Sequence, residues 1–584
     1  MIRRCEFELV AKAVKRSGAA DYFEGIIRPG GSTGRPRALS IEVFFAGAVL
    51  VADRGLPLNF TNIHRALTEW LPHSLQVQAG LRRKKKNANA GDRSVPITIR
   101  QVRYIFEAIE KRLEFTVDRV SNLTDEERSD RRAQFQELID QLLASSLPQA
   151  LPRKMTLAFD TSGVESWAKA RSGRAGKTYG DEIDLAASRR RRGTSRKVNP
   201  QVSKAGNEVL SFDADARRGY RTKTYMNKSN VIFGYDLFGA VNVLPVGADP
   251  DLAPRLMVTM ALEPLSVSTT EPVLSILDRL AGQGVEVDEI LVDRGFSYKT
   301  PENWANELRA RSISQVQDIH PADHGARDHD GILIIDGVPH CPMTPERLWK
   351  ITRPARLKVT PLKPNASREA RKKHEQQLKE IEVANELIDE RQRYAFVVNQ
   401  RANKTAKDQG KVQYQCPGRA GKLQCSLCPF SGAYAKDTPV VTNPPKKSTA
   451  PKGCAQSYLT IPGYATAKLA QKDYWLSEAW RNSYSRRSAI EGIFGNLKSP
   501  GSQRIERGFC RVVGLIKTSL MLVIEAIAAN IRVLRKWSKR TGDVSDPLCV
   551  PMPVNHGFEE LDLHGQISLA EPLEFDDPPD EFAA

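Results

Sequence analysis

The sequence predicts an α/β protein: a mixed sheet flanked by helices, preceded by an all-α N-terminal domain and interrupted by an insertion domain. Three observations predict it. Residues 35–120 repeat apolar side chains at helical spacing. From Met155 to Ile319, apolar runs of strand length alternate with amphipathic helices. From about His320 to Lys468 the alternation lapses, and helices then return. At 584 residues the chain is too long for one hydrophobic core, so several domains are expected.

In chain order, the helical region holds RALSIEVFFAGAVLVADRG, ended by a Gly, then TNIHRALTEWL with a Thr cap, then TIRQVRYIFEAIEKRL. Between the last two lies a run of five cations, Arg82, Arg83, Lys84, Lys85 and Lys86. A solvated loop and a phosphate-contacting loop are both open readings of it. A charged helix, TDEERSDRRAQFQELIDQLLAS, leads to Pro148. KMTLAFDTSGV then reads as a strand closed by Asp160, and the basic stretch from Lys169 to Lys204, with Arg189–Arg192, as a long loop. Strands resume at VIFGYDLFGAVNV and RLMVTMALEPLSV. The helix TEPVLSILDRLAGQG, the strand VDEILVDRGF, the helix TPENWANELRARSI and the short strand SQVQDI follow. The expected division is 1–150, a helical DNA-binding region; 151–322, the first part of the core; 323–470, the insertion with a Cys cluster; 471–540, the second part of the core; and 541–584, an acidic disordered tail.

Composition narrows the function. Mean hydropathy is −0.42, and no apolar run reaches the roughly 18 residues of a membrane span. The first residues, MIRRCEFELVAKAVKR, carry charges where a signal peptide needs its apolar stretch, so a cytoplasmic, nucleoid-associated protein is expected. Net charge is +18, and without the nine carboxylates of the lysine- and arginine-free tail (His556 to Ala584) it is +27. A field of that sign attracts polyanions, of which nucleic acid is the commonest. The tail is expected to fold back on the basic surface and weaken nonspecific DNA binding.

Asp160 and Asp293 each close an apolar run before a polar turn (TSG, RGF). Strand ends line the crevice where α/β proteins bind ligands, and a carboxylate there needs solvent, a partner or a cation. Capping of the next turn is the plainer alternative. On the helix expected around Arg486, Tyr484, Arg487, Glu491 and Lys498 project within a stripe about 60° wide, at ~100° per residue. An acid flanked by two bases on one face suits a metal-bound phosphate held from both sides.

The pattern Y-x2-R-x3-E-x6-K formed by Tyr484, Arg487, Glu491 and Lys498 resembles the glutamate-region signature of bacterial insertion-sequence transposases with a DDE active site. AFDTSGV, DADARRGYRTKT, FGYDLFGAV and DEILVDRGFSY are similar to other regions of that family. The resemblance implies a ribonuclease H-like fold, with Asp160, Asp293 and Glu491 as catalytic triad and ligands of two Mg²⁺ or Mn²⁺ ions. Hard oxygen donors suit those ions. It also implies an extra domain between the second Asp and the Glu, and DNA contacts from Tyr484, Arg487 and Lys498, with Arg294 as a further candidate. The implied activity is a DNA transposase that cleaves transposon ends and transfers the 3′-OH into target DNA. Its partners would be double-stranded DNA (terminal inverted repeats and target) and a second copy of the chain in the synaptic complex; no membrane is expected. A metal-dependent nuclease without strand transfer and a non-catalytic DNA-binding regulator stand as alternatives. Trp304 or Trp349 would stabilise a flipped base if cleavage passes through a hairpin, although core packing is the more ordinary role for either.

Cys416, Cys425, Cys428 and Cys454, set among Pro, Gly and Lys, are read either as a structural zinc site or as unmetallated thiols, with redox chemistry a lesser alternative. His320, His324, His329 and His340 are read as scattered surface histidines.

Overall fold

The computed structural model describes residues 2–28, 39–84, 94–120, 122–149, 151–169, 211–223, 228–265, 269–359, 361–401, 411–499, 503–544, 546 and 548. Lys85, Lys86, the basic stretch 189–192 and the acidic tail lie outside the described residues.

The chain begins with helices α1 (Arg4–Arg16), α2 (Ala19–Ile27) and α3 (Ile41–Asp53). Helix α3 is capped by the Ser40 hydroxyl and buries nearly every side chain, as a helix apolar on all sides must. Helix α4 (Phe60–Arg65) runs into one π turn and is capped by Asn59, two residues before the expected Thr. After α5 (His73–Gln78), strands β1 (Arg82–Lys84) and β2 (Ser94–Pro96) pair antiparallel, so the cationic run begins in a hairpin and not in a loop. Arg82 is turned into that hairpin, bonded to the Gln76 side chain at 2.9 Å and the Ser94 carbonyl at 3.0 Å. Helices α6 (Ile99–Leu113) and α7 (Asp125–Ala144) both start with capping boxes, Thr98 with Gln101 and Thr124 with Glu127.

A curled six-stranded mixed sheet follows. Its strands are β3 (Lys154–Glu165), β4 (Arg217–Lys223), β5 (Lys228–Val243), β6 (Met257–Pro264), β7 (Glu286–Leu291) and β8 (Ser314–Val316). Central β3 pairs antiparallel with β5 and parallel with β7; β5 carries both β4 and β6 antiparallel, and β8 extends the sheet parallel to β7. Helix α8 (Thr270–Gly282) crosses from β6 to β7, and α9 (Ala305–Ala310) from β7 to β8. Helix α9 is shorter than the apolar pattern predicts, because Trp304 is itself in the core and donates to Gln315 at 3.0 Å. That burial removes Trp304 as a base-flipping platform. Alternation along β3 divides the core. Leu157 and Phe159 face α8 and α9, whereas Ala158 faces the N-terminal helices and the last helix of the chain.

The described residues between 326 and 461 include two small antiparallel sheets and one long helix. Strands β9 (Ala326–His329), β10 (Ile332–Ile335) and β11 (Val338–His340) make the first sheet. The 27-residue helix α10 (Arg368–Tyr394) follows, and β12 (Val397–Arg401), β13 (Val412–Gln415) and β14 (Tyr458–Ile461) make the second sheet. A buried pair, Arg391 to Asp336 at 2.7 Å, ties α10 to the first sheet.

The chain then returns to the large sheet with α11 (Glu478–Ser485), α12 (Ser488–Lys498) and α13 (Leu515–Thr541). Helix α13 packs on α3, α7 and β6. Its buried Asn530 accepts from the Met257 amide at 3.0 Å and donates to the Met257 carbonyl at 2.9 Å, satisfying an edge that β6 would otherwise leave unpaired. No helix among the described residues is long and apolar enough to cross a membrane.

Candidate active site

Asp160 lies in the middle of β3 and not at its end. Strand pairing with β5 continues past it, from Asp160 opposite Gly239 to Glu165 opposite Gly234. The expected turn at TSG is absent because sixteen-residue β5 supplies partners for the whole run. Asp293 does follow a strand. It lies two residues beyond β7 and caps a single 3₁₀ turn by accepting from the Gly295 amide at 2.9 Å. A side chain at position 295 would press on that carboxylate, with its Cβ 2.9 Å from the Asp293 Oδ1 atom.

Glu491 arrives by close packing of a helix on the sheet. A Cβ on Gly239 would stand 3.1 Å from the Phe494 ring, so the missing side chain lets α12 lie directly against β5. Gly239 is the cross-strand partner of Asp160, and Glu491 lies three residues before Phe494 on α12. The same contact therefore brings the helix acid toward the strand acid.

The four signature residues do not share one helix. The backbone tightens at Arg486 and Arg487, where amides bond three residues back, and α11 ends as α12 begins. Neither Gly nor Pro marks that break. Tyr484 is half-buried and stacked on Trp480, with ring centroids 4.8 Å apart. Arg487 lies over the Tyr484 ring at 5.7 Å and pairs with Asp160 at 3.3 Å and with Glu491. Lys498 is exposed at the last position of α12, about two turns from Glu491. Arg294 is exposed beside Asp293.

The electrostatics tie these groups together. Burial raises the Asp160 carboxyl above its ordinary range, and the charges of Asp293 and Glu491 add to the rise, while Arg487 and the Thr161 amide oppose it. Burial alone would pull Arg487 down, but Tyr484, Glu491, Asp160 and Asp293 outweigh it and hold the guanidinium above its usual value. Burial raises the Tyr484 phenol; Asp318 and Asp293 raise it further, against Arg487 and Arg353. Asp160 and Glu491 thus contact one guanidinium that the Asp293 charge also reaches, an excess of negative charge whose all-oxygen donors match the preference of Mg²⁺ or Mn²⁺. They are not drawn into a closed cage. Among the described residues, no group of three or more His, Cys, Asp or Glu side chains is gathered closely enough to hold a metal ion.

One nearby acid escaped the sequence reading. Asp318 follows β8 by two residues, as Asp293 follows β7, and it accepts from Trp475 at 3.1 Å and pairs with Arg353 at 2.9 Å. SQVQDI carries the same signal, an apolar run closed by an acid, but its brevity hid the parallel. Asp213 and Asp215 of the DADARRGYRTKT region turn out to be structural. Asp213 accepts from Ser166 at 2.6 Å, Tyr235 at 2.7 Å and the Gly514 amide at 3.1 Å. Asp215 accepts from Arg119 at 2.6 Å and the Leu515 amide at 2.9 Å.

The cysteines form pairs. Cys416 is hydrogen-bonded to Cys428, whose thiol is held below its ordinary range by that bond, by Ser457 and by Arg419 and Lys447, against burial. The free thiol of Cys454 lies against that of Cys341, far upstream in sequence and outside the expected set, and Cys341 also interacts with Cys416 and Cys428. Cys425 is buried, its Cβ 3.2 Å from where a side chain on Gly418 would begin. Of the four histidines read as surface groups, His340 is fully buried and bonded to Tyr474 at 2.8 Å; burial first, then the Arg391 charge, lowers it to about 3.

Residues 390–535, about a quarter of the chain, match the family model described as transposase DDE domain. This stretch is similar to a transposase DDE domain. The match supports a transposase-type function, and the family it names acts on DNA, typically with divalent metals. The DDE domain match includes Tyr484, Arg487, Glu491 and Lys498, while Asp160 and Asp293 lie before it. No curated protein and no solved structure matches the chain.

Proposed function

We propose that the chain is a DNA transposase that cleaves at the ends of its element and joins the 3′-OH to target DNA, with Asp160, Asp293 and Glu491 as its catalytic carboxylates. The observation that carries this reading is the mutual influence of these three acids around Arg487, inside and beside a transposase DDE domain match. The sheet topology supports a ribonuclease H-like reading. Three antiparallel strands, β6-β5-β3, are continued by two parallel ones, β7 and β8, with a helix before each parallel strand.

In this reading Asp160, Asp293 and Glu491 would hold two Mg²⁺ or Mn²⁺ ions, on closing up from the open arrangement they have here. The chemistry such ions supply is activation of the attacking water or 3′-OH and stabilisation of the leaving oxygen. The chain's own residues do the rest. Arg487 exchanges its carboxylate partners for phosphate oxygens of bound DNA, because a guanidinium matches either oxyanion with two parallel N–H donors. Tyr484, fixed by its stack on Trp480, keeps Arg487 at that height. Lys498 and Arg294 add exposed positive charge beside the phosphates. Two copies of the chain, one per transposon end, form the synaptic complex.

The test uses the native DNA flanking the coding region, placed on a plasmid. With Mg²⁺ or Mn²⁺ the protein is expected to cut at the ends and to join a pre-cut end bearing a free 3′-OH to plasmid DNA. Cutting without joining would leave a nuclease. Neither cutting nor joining in either metal would overturn the reading.

A further inference from the structure

The long helix α10 is built unlike the other helices. Its buried residues, Ala384, Ile388, Arg391 and Tyr394, all fall in its C-terminal part, so the first sixteen residues project without a buried side chain. At ~1.5 Å per residue this is a rod about 24 Å long. From Arg353 to Lys379 the chain carries nine Lys or Arg against two Glu, whereas from Glu380 to Tyr394 five acids face two bases. The helix dipole acts on the terminal turns, where Glu369 at the start and Arg391 and Arg393 at the end already suit it, and it does not account for the cations between. Arg371 is bonded to the Pro364 and Ala366 carbonyls, and an external polyanion is the partner that makes the remaining surplus of cations favourable.

The basic segment begins beside the candidate active site. Arg353 pairs with Asp318, and Lys358 donates to the Ser485 hydroxyl of α11 at 3.1 Å, two residues before Arg487. Two open grooves lie along this segment. One, of about 340 Å³, includes Arg255, Lys358 and Arg486. The other, of about 500 Å³, runs along Arg356, Lys363 and Lys373 to His374 on α10. Cations thus line a continuous path from the helix carrying Tyr484 to the exposed rod.

We propose that residues 353–379 form a docking surface for the phosphate backbone of double-stranded DNA leading away from the cleavage site. The placement of the duplex rests on the reading of Asp160, Asp293 and Glu491 as the DNA-cutting centre; the charge of the surface does not. B-DNA presents about one negative charge per 1.7 Å of axis, so a rod of this length meets many phosphates at once. Contacts of that kind are blind to sequence.

The test is binding to random-sequence duplex DNA by fluorescence anisotropy, without divalent ions, from 50 to 200 mM salt. The full-length K363Q/K372Q/K373Q/K379Q variant is expected to bind more weakly and to lower the slope of log affinity against log salt by about 3–4, near one unit per lost phosphate contact. The corresponding four Lys→Arg substitutions, which keep the charge, should retain the wild-type slope. An unchanged slope in the Gln variant, or an equal loss in the Arg variant, would overturn the proposal. Loss of cleavage in Glu491→Gln with an intact salt slope separates this surface from the catalytic reading, and a wild-type protein that binds with this slope but never cuts would sink only the latter.

Discussion

Two clusters in this molecule have the same ingredients and opposite characters. Around Arg487 stand Asp160, Asp293, Glu491 and a tyrosine; around Arg119 stand Asp213, Asp215, Glu114 and a tyrosine. In the second, donors come from inside the protein: both oxygens of Asp213 are bonded, and the first amides of α13 point at the two aspartates. Burial still raises Asp215 and Glu114, and the Tyr235 phenol well above its usual range, so the cluster is closed and costly to disturb. In the first, Asp160 has one backbone donor and a shared guanidinium, and Glu491 keeps 54% of its side-chain surface in solvent. The comparison teaches that residue type does not distinguish a site from a strut. What distinguishes them is access: the Arg119 cluster is sealed, even with Asp215 Oδ1 and Glu114 Oε2 left without partners, whereas Asp160 and Glu491 stay open to a ligand.

Substitutions should separate the clusters, and the largest effect is catalytic. Asp160→Asn, Asp293→Asn and Glu491→Gln are each expected to lower end cleavage by roughly 10³-fold or more while the thermal midpoint stays or rises. A variant that lost activity only by unfolding would erase the contrast. Next, Asp213→Ala should cost about 3–5 kcal/mol in denaturant unfolding, because it strands buried donors and part of the Arg119 charge. A stable but inactive Asp213→Ala protein would move that residue into the active site. Third, divalent cations in calorimetry should stabilise the wild type, by about 2.7 kcal/mol at a hundred times their Kd. The gain should vanish in Glu491→Gln and persist in any Asp213 variant that folds.

The smallest effect concerns a third kind of acid. Glu525 of α13 is buried, both its oxygens lack a hydrogen-bond partner, and burial raises its carboxyl well above 4.5 against the pull of Arg532. The folded protein then keeps a proton that the unfolded chain releases as pH rises through the ordinary glutamate range. Stability therefore falls with rising pH from that point up to the folded pKa. Glu525→Met should remove this slope and add about 1–3 kcal/mol at neutral pH, with a smaller gain near pH 5, in unfolding curves taken at both.

Most of the sheet was legible because buried strands read as apolar runs, and the helices between them keep their own period. Asp293 was found at a strand end for that reason. Asp160 was misplaced within its element because whether a strand stops depends on its neighbour, and β5 lies about seventy residues further on. The break at Arg486 was illegible because its tight turns need no Gly or Pro. The Cys341–Cys454 pair was missed because spacing rules see only nearby cysteines, while strand β11 and its turn bring Cys341 back. Arg82 shows the converse. A cation in a basic run can be spent inside a hairpin.

The bonds from the Gly514 and Leu515 amides to Asp213 and Asp215 span 301 and 300 residues. On a ribosome adding about 5–20 residues per second, the two aspartates emerge roughly 15–60 s before the helix whose first amides bond them. Asp160, Asp293 and Glu491 have all been synthesised by then. In the proposed reading, the fold around the three acids thus waits for a later helix that lends them no catalytic group.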